Sequence, residues 1–340
     1  MYVVTGAFGF IGSNLVRALN ERGVREVLVV DDLVAAPKSR YVADWQITDV
    51  VDRREFIRSW ESGRLVKKVQ AVIHKGACSD TMEQDRHYMM ENNYEYSRSL
   101  LRLCQQEKIP FIYASSGSVY GTTGSFDDKS GHEAPLNIYA YSKAHFDEHV
   151  RQTLPARTAQ IVGLRYFNVY GPGEEQKGRT ASVAFHFFNQ YCDTGRVRLF
   201  RGSGGYGDGE QRRDFVSIED AVDVNLFFLD HRDKYGIFNI GTGRARSFND
   251  IATAVINSIR SLEGKQPLSL EQLRSQGAIE YIDFPNGLAK QYQSFTQADI
   301  EALRAAGFVK PFLSLEQGVQ RYVQTLMRDR PRGRVVGRGG

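Results

Sequence analysis

The stretch that decides the fold is Met1-Tyr-Val-Val-Thr-Gly-Ala-Phe-Gly-Phe-Ile-Gly12. A short apolar strand ends at Gly6, and Gly6, Gly9 and Gly12 then lead into a helical pattern that begins near Ser13. Glycine is needed where a chain turns tightly and approaches phosphate oxygens, and the first turn of a helix offers free N–H groups to an anion. The stretch therefore predicts a site for a dinucleotide diphosphate. The alternative is a strand–helix corner that needs glycine only for packing.

A second strand favours the dinucleotide interpretation. Residues 27–30 are apolar and end at Asp31 and Asp32, about 20 residues after the glycines. An acidic residue at this distance is expected to bind a ribose hydroxyl.

The composition is that of an ordinary globular protein, with 41% hydrophobic and 25% charged residues in a chain of 340. This length is enough for two lobes. No apolar run approaches the roughly 18 residues that a membrane helix needs, and the first residues enter a strand without a charged leader. We therefore expect a cytoplasmic protein without a membrane partner.

Cysteine spacing and charge exclude further classes. Cys78, Cys104 and Cys192 are widely spaced and form no Cys-x-x-Cys pair, which is typical of reduced thiols rather than a zinc site. Five arginines and one aspartate in residues 328–340 account for the formal net charge of +4. We expect this tail to be disordered and solvated, and we expect no nucleic-acid partner.

Strand and helix patterns alternate through the first half of the chain, which predicts an α/β fold with a Rossmann-type, doubly wound parallel sheet. The strand patterns cover residues 2–5, 27–30, 71–74, 111–115, 161–166, 214–218 and 237–240. The helical patterns cover residues 13–22, 54–62, 93–107 and 141–153.

A change of rhythm after Tyr166 predicts a second, smaller α/β substrate domain. We expect the dinucleotide-binding domain to hold residues 1–167 with return segments near 214–241 and 309–325. The substrate domain would hold residues 168–213 and 242–308. Residues 258–277 read as a surface insertion with a short helix at 270–275.

A candidate catalytic group follows the fourth strand pattern. Tyr139 and Lys143 are spaced i, i+4 on one helix face, and Ser116 lies at the carboxyl end of a predicted strand. A free phenol titrates near pH 10, but a neighbouring ammonium and an oxidised nicotinamide both favour the phenolate. Tyr139 would then remove a hydroxyl proton during hydride transfer, while Ser116 holds the oxygen. The alternative is the ordinary start of an amphipathic helix.

These motifs, with Arg165-Tyr-Phe-Asn-Val-Tyr-Gly-Pro172, resemble the extended short-chain dehydrogenase/reductase family of nucleotide-sugar epimerases and dehydratases. The resemblance covers residues 1–328. Dehydratases of this family typically carry Asp-Glu directly after the active-site hydroxyl residue, where this chain has Gly117-Ser118. The resemblance therefore implies an isomerase rather than a dehydratase.

Longer strings are similar to the branch of the family that epimerises ADP-heptose, at residues 74–79, 88–94, 177–186, 212–216 and 292–297. This implies oxidation of the sugar at C6, return of the same hydride to the other face, and a role in supplying heptose for the lipopolysaccharide inner core. Lys177 matches a second acid/base group. The resemblance also implies a homo-oligomer, with a pentamer among the known assemblies.

The same likeness, taken residue by residue, implies two binding sets. The dinucleotide would contact Gly6, Gly9, Phe10, Ile11, Gly12, Asp31, Asp32, Lys38, Arg53, Lys75, Gly76, Ala77, Cys78, Ser79, Asn92, Lys143, Val169 and Lys177. The sugar nucleotide would contact Ser116, Asn168, Arg179, His186, Phe200, Arg201, Gly202, Ser203, Arg213 and Tyr292.

Three of these roles have an alternative. Lys177 also reads as a solvated loop cation, Arg213 as a partner of Asp214 or another carboxylate, and His186 as an interior histidine. Two residues depart from the branch, since Lys75 replaces a usual acid and Arg179 a small hydroxyl residue.

The choice of cofactor rests on opposed charges. Asp31 would bond a free 2′-hydroxyl and favour NAD, whereas Lys38 and Arg53 would neutralise a 2′-phosphate and favour NADP. We expect NADP, with NAD as the alternative.

Two other functions remain open. One is another nucleotide-sugar epimerase or reductase, such as a UDP-hexose 4-epimerase. The other is a non-catalytic dinucleotide-sensing regulator, which would usually lack Tyr139 or Lys143.

Overall fold

The main sheet is parallel throughout and confirms the predicted α/β class. The computed structural model describes residues 1–34, 44–64, 69–128, 131–285 and 293–330. Within these residues the sheet has seven strands in the order β11-β6-β5-β4-β1-β2-β3, and every neighbouring pair is parallel. The strands are β1 (Tyr2–Thr5), β2 (Val27–Asp31), β3 (Asp49–Asp52), β4 (Ala71–His74), β5 (Phe111–Ser116), β6 (Ile161–Tyr166) and β11 (Gly236–Ile240).

The strand order reverses beside β1, because β2 lies on one side of it and β4 on the other. In open parallel sheets a ligand binds in the crevice outside the carboxyl ends of the strands at such a switch point. Gly6 directly follows β1 and Lys75 directly follows β4. These two residues therefore mark the predicted binding crevice.

Helices cover both faces of the sheet, and alternate residues of each strand feed two separate cores. The helices are α1 (Phe10–Glu21), α2 (Arg53–Glu61), α3 (Arg86–Met89), α4 (Tyr96–Gln106), α5 (Ile138–Thr153), α6 (Val183–Thr194), α7 (Ile218–Asp230), α8 (Phe248–Leu262), α9 (Leu270–Ser275), α10 (Glu301–Ala305) and α11 (Leu315–Asp329). Val4 lies in the core that α1 and α7 cover, whereas Val3 lies in the core that α2, α4 and α5 cover.

A third core joins α6, α8 and α11 to the parallel strand pair β8 (Val197–Phe200) and β13 (Ile279–Ile282). The segment 309–325 was expected to return to the dinucleotide-binding domain, but α11 packs on α8 instead. Its apolar stripe includes Leu315, Val319 and Val323, a spacing of four that presents one face to α8. Short strands complete this half of the chain, namely β7 (Asn168–Tyr170), β9 (Arg212–Arg213), β10 (Phe215–Ser217) and β12 (Arg246–Ser247).

Two further expectations need correction. Residues 258–262 end α8, and Leu273 of the predicted helix at 270–275 is fully buried, so 258–277 is not wholly a surface insertion. Arg328 and Asp329 were expected in a disordered tail. They are instead the last two residues of α11. Residues 331–340 of that tail lie outside the described residues. Among the described helices, none is long and apolar enough to cross a membrane.

Candidate active site

The turn after β1 has no room for a side chain at Gly6 or at Gly12. Gly6 has φ +64°, and a Cβ there would lie 2.4 Å from the backbone nitrogen of Gly76. A Cβ on Gly12 would lie 2.1 Å from the carbonyl oxygen of Gly6. Helix α1 starts at Phe10, three residues before the predicted start, so that Gly9 is its N-cap. The turn therefore brings the N-terminus of α1 to the edge of the sheet, as a phosphate site requires.

One cavity, of about 240 Å³, lies between the glycine turn and the end of β2. Asp31 accepts hydrogen bonds from the backbone nitrogens of Phe8 (2.7 Å) and Asp32 (2.9 Å), and burial raises the pKa of its carboxyl. Arg53 pairs with Asp32 in the same cavity. The predicted cofactor residues that line this cavity are Gly6, Gly9, Asp31, Asp32, Arg53, Lys75, Gly76, Ala77, Cys78 and Asn92. Lys38 lies outside the described residues.

A second cavity, of about 280 Å³, continues from the glycine turn toward the catalytic candidates. It shares Gly6, Gly9, Lys75 and Ala77 with the first cavity. The other predicted site residues that line it are Phe10, Ile11, Gly12, Ser79, Ser116, Tyr139, Lys143, Val169 and Lys177. The two cavities adjoin at the glycine turn. They therefore fit the two nucleoside halves of a dinucleotide, with the diphosphate between them.

Helix α5 brings Tyr139 and Lys143 to this second cavity. Asn137 caps the helix by accepting a hydrogen bond from the backbone nitrogen of Ala140 over 2.8 Å, which fixes where the helix starts. Burial raises the pKa of Tyr139, and a hydrogen bond with the Ser116 side chain opposes that rise. The Lys143 ammonium donates to the carbonyl oxygen of Ala114 over 2.9 Å. Burial lowers the pKa of Lys143 to about 8.

The side chain of Lys177 lies against Phe10 rather than in solvent. Its ammonium nitrogen is 5.3 Å from the centre of the Phe10 ring, and burial lowers its pKa. A 3₁₀ turn, Glu175–Thr180, carries it to the cavity. The buried carboxylate of Glu174 holds this turn by accepting a hydrogen bond from the hydroxyl of Ser182 over 2.8 Å.

The chain is similar to known proteins over most of its length. The profile of the NAD dependent epimerase/dehydratase family matches residues 2–241. The chain belongs to this family. A curated ADP-L-glycero-D-manno-heptose-6-epimerase from Thiobacillus denitrificans is 55% identical over 325 residues, which cover 96% of this chain and 98% of that protein.

Solved structures of similar enzymes have the same fold as this chain. The ADP-L-glycero-D-manno-heptose-6-epimerase from Helicobacter pylori matches with a TM-score of 0.78 and 30% identity, over 96% of each chain. The UDP-glucose 4-epimerase from Thermus thermophilus, in complex with NAD, matches with a TM-score of 0.73 and 26% identity, over 96% of this chain and 98% of that one. As a member of an NAD dependent family, the chain uses a nicotinamide dinucleotide.

The residues predicted to hold the sugar nucleotide are more dispersed than those predicted to hold the dinucleotide, and Ser116 is the one among the described residues that lines either cavity. Phe200 stacks on Phe284 with ring centres 4.4 Å apart, and the side chain of Arg201 pairs with Asp283 at 3.1 Å. The backbone nitrogen of Gly202 donates to Asp208, and the hydroxyl of Ser203 accepts from Gln211. These four residues form the end of β8 and the loop after it, and none of them is among the described residues that line the second cavity.

The other predicted sugar-nucleotide residues have varied surroundings. Arg213 is buried over the ring of Phe248, whereas Asp214 accepts hydrogen bonds from Thr242, Gly243 and Ala298. Asn168 is exposed on β7, His186 lies beside the ring of Phe185, and Arg179 pairs with Asp80 at 2.7 Å. Tyr292 lies outside the described residues.

Two buried residues, Asp147 and Asn93, hold the site together but were not foreseen from the sequence. Asp147 accepts hydrogen bonds from the hydroxyls of Tyr113 and Ser115 and from Arg165, each over 2.8 Å. It therefore ties α5 to β5 and β6. The spacing Tyr139, Lys143, Asp147 repeats every four residues, which is the signal that would have revealed it.

Asn93 is the second missed residue. It lies in a π-helical segment, Met90–Glu95, between α3 and α4. Its side chain donates to the carbonyl oxygen of Cys78 over 2.9 Å and accepts from the backbone nitrogen of Cys78 over 2.8 Å. The same amide donates to the hydroxyl of Ser142 on α5. Asn93 thus fixes the loop after β4, which lines both cavities.

Proposed function

We propose that the protein interconverts ADP-D-glycero-D-manno-heptose and ADP-L-glycero-D-manno-heptose by transient oxidation at C6. The observation that carries this proposal is the meeting of Ser116, Tyr139, Lys143 and Lys177 in one cavity beside the glycine turn. The 55% identity to an ADP-L-glycero-D-manno-heptose-6-epimerase, over 96% of the chain, supports this substrate. The product would supply heptose for the inner core of lipopolysaccharide.

In this proposal Tyr139 accepts the proton of the sugar hydroxyl that is oxidised. The bound nicotinamide dinucleotide supplies a reversible hydride acceptor. Ser116 already hydrogen-bonds Tyr139 and would hold the same hydroxyl oxygen. The Lys143 ammonium, on the same face of α5, would favour the phenolate of Tyr139.

A second proton partner is needed because the sugar must present its other face. When the carbonyl oxygen of the oxidised sugar turns over, it leaves the reach of Tyr139. We assign the second role to Lys177, which lines the same cavity from a different chain segment. The burial that lowers the pKa of Lys177 makes proton exchange by its amine easier near neutral pH.

We also propose the identity of the cofactor, the division of the chain into binding domains, and the assembly and location of the protein. NADP is the proposed cofactor because Arg53 adjoins Asp31 and Asp32 in the first cavity, with NAD as the alternative. Residues 1–167 and 214–241 would hold the dinucleotide, and residues 168–213 and 242–308 the sugar nucleotide. We propose a homo-oligomer in the cytoplasm, for which a pentamer is the first state to test by light scattering.

Product analysis tests the function. Purified protein is incubated with ADP-D-glycero-D-manno-heptose, and the two epimers are separated by chromatography. We expect the L-glycero epimer to accumulate to an equilibrium mixture, and the reverse from the other epimer. A parallel incubation with UDP-glucose should give no UDP-galactose. Conversion of the UDP-hexose without conversion of the heptose would replace the proposal with a 4-epimerase, and no conversion of either would favour a non-catalytic role.

A further inference from the structure

Lys75 occupies the point where the two cavities of the binding crevice meet. It follows β4 at the switch point, and its backbone nitrogen donates to the carbonyl oxygen of Thr5 over 3.0 Å. The backbone of Lys75 lies so close to the glycine turn that a Cβ on Gly6 would be 2.6 Å from its carbonyl carbon. Lys75 lines both cavities, as do Gly6, Gly9 and Ala77.

The ammonium of Lys75 is buried and has no hydrogen-bond partner within the part of the chain that the structure describes. Its nitrogen lies 5.4 Å from the centre of the Tyr166 ring, a contact that compensates only part of the lost hydration. Burial, with a contribution from nearby Lys143, lowers the pKa of Lys75 well below its ordinary value. An unpaired buried cation is costly, so a ligand anion that paired with it would be bound with a gain.

The charges of the second cavity favour an anion beside Lys75. Among the described residues, the lining of this cavity includes no carboxylate, whereas Asp31 and Asp32 line the first cavity. The titratable groups that line it from the neighbouring elements are Tyr139 and Lys143 on α5, Tyr166 on β6 and Lys177 on the 3₁₀ turn. His74, beside Lys75, is buried, and burial lowers its pKa well below the ordinary value. Three lysines thus line the second cavity, and their ammonium forms would be stabilised by a negatively charged occupant.

We propose that the ammonium of Lys75 is the counter-ion of the diphosphate of the bound dinucleotide. The inference rests on the proposed function, because it takes the two cavities as the site of that cofactor. The diphosphate is the anionic part of a dinucleotide that lies between its two nucleoside halves, and Lys75 lies between the two cavities. The N–H groups at the start of α1 adjoin the same point and supply further donors. Lys75 is thereby a cofactor-binding residue through its side chain.

The test uses ADP-ribose, which carries the diphosphate without the nicotinamide. Its affinity and that of NADP are measured by calorimetry for the full-length wild type, K75M, K75Q and K75R. We expect K75M and K75Q to bind both ligands about 10- to 100-fold more weakly, as loss of a charged hydrogen bond predicts. K75R keeps the charge and should bind within about threefold of the wild type. K310M, at an exposed lysine paired with Asp223, is the matched control and should bind like the wild type.

A stability measurement separates binding from a structural role. Without ligand, K75M should melt at the same temperature as the wild type or higher, because it removes an amine that is buried without a hydrogen-bond partner among the described residues. ADP-ribose should raise the melting temperature of K75M less than that of the wild type. Wild-type affinity for ADP-ribose in K75M or in K75Q would overturn the assignment of Lys75. Failure of the wild type itself to bind either ligand would instead overturn the proposed function.

Discussion

The Nε atom of Arg53 donates a hydrogen bond to the carboxylate of Asp32 over 3.3 Å, at the edge of the cavity that Asp31 also lines. A bound 2′-phosphate would have to share this guanidinium with Asp32. We therefore predict that D32N raises the affinity for NADP relative to NAD by about tenfold, because it removes one repulsive carboxylate and releases Arg53. Dissociation constants of both cofactors, measured by calorimetry, check this.

The matched control is D49N, which changes an exposed acid on the neighbouring strand β3. It should leave the ratio of the two affinities unchanged. An unchanged ratio in D32N as well would mean that neither Arg53 nor Asp32 approaches the 2′ position.

Tyr139 is the proposed proton acceptor, so its hydroxyl is indispensable to turnover but not to cofactor binding. We predict that Y139F slows epimerisation by about 100- to 10,000-fold, the usual contribution of a positioned acid or base. The dissociation constant of NADP should change less than threefold. A roughly tenfold weaker affinity of Y139F for NADP would contradict this prediction. Y141F, two residues along the helix and exposed, should turn over at the wild-type rate.

The pH dependence follows from two opposed shifts at the start of α5. Burial raises the pKa of Tyr139, and burial lowers the pKa of Lys143 to about 8. The active form needs the phenolate and the ammonium together. Below pH 8 the rate should rise with pH as phenolate accumulates, and above it the loss of the ammonium should cancel the further gain. We predict that kcat/KM rises up to about pH 8 and then stays level.

A variant without the ammonium tests this explanation. K143M should be slow at neutral pH, and its kcat/KM should show no break near pH 8, because the ammonium that titrates there is gone. If the wild type and K143M give profiles of the same shape, Lys143 does not set the upper limit.

The sequence predicts features that depend on neighbours along the chain. The glycine turn and the pair Tyr139 and Lys143 are local patterns, and both lie at the edge of the sheet where strand ends meet. Strand β3 was missed because its four residues, Asp49–Asp52, begin and end with an acid at the sheet edge. The packing of α11 on α8 was missed because its partner lies more than 50 residues away along the chain, and an apolar stripe does not say which surface it covers.

Site residues that act through buried partners were equally hard to foresee. Lys75 was expected among the cofactor contacts only through the family resemblance, and the burial of its side chain depends on β1, β4, β5 and β6 lying side by side. Asp147 reads as one of several acids on an amphipathic helix, and only the packing of α5 on the sheet shows that it binds Arg165.

Lys177 is proposed to exchange a proton with the turned sugar carbonyl, so it should matter in both directions of the reaction. We predict that K177M slows the forward and reverse conversions by about 100-fold or more. K177R, which cannot release its proton near neutral pH, should be similarly slow. A variant that loses only substrate affinity, with kcat unchanged in both directions, would make Lys177 a binding residue instead.

Acid stability should depend on Glu133, which accepts hydrogen bonds from Arg151 and from the fully buried Arg165. Burial raises the pKa of Glu133, but these hydrogen bonds outweigh it and lower the pKa to about 2. A carboxyl whose pKa is lower in the folded than in the unfolded chain stabilises the fold above the unfolded value, and this contribution is lost as pH falls from about 4.5 to about 2. We predict that E133Q lowers the free energy of unfolding by about 3 kcal/mol at pH 7. The difference from wild type should shrink steadily below pH 4.5 in urea titrations.

The matched control is E148Q, whose exposed carboxylate lies 3.7 Å from Arg151. It should lower the free energy of unfolding by less than about 0.5 kcal/mol at any pH. A difference between wild type and E133Q that stays constant from pH 7 to pH 3 would mean that the carboxylate charge of Glu133 contributes nothing to the network.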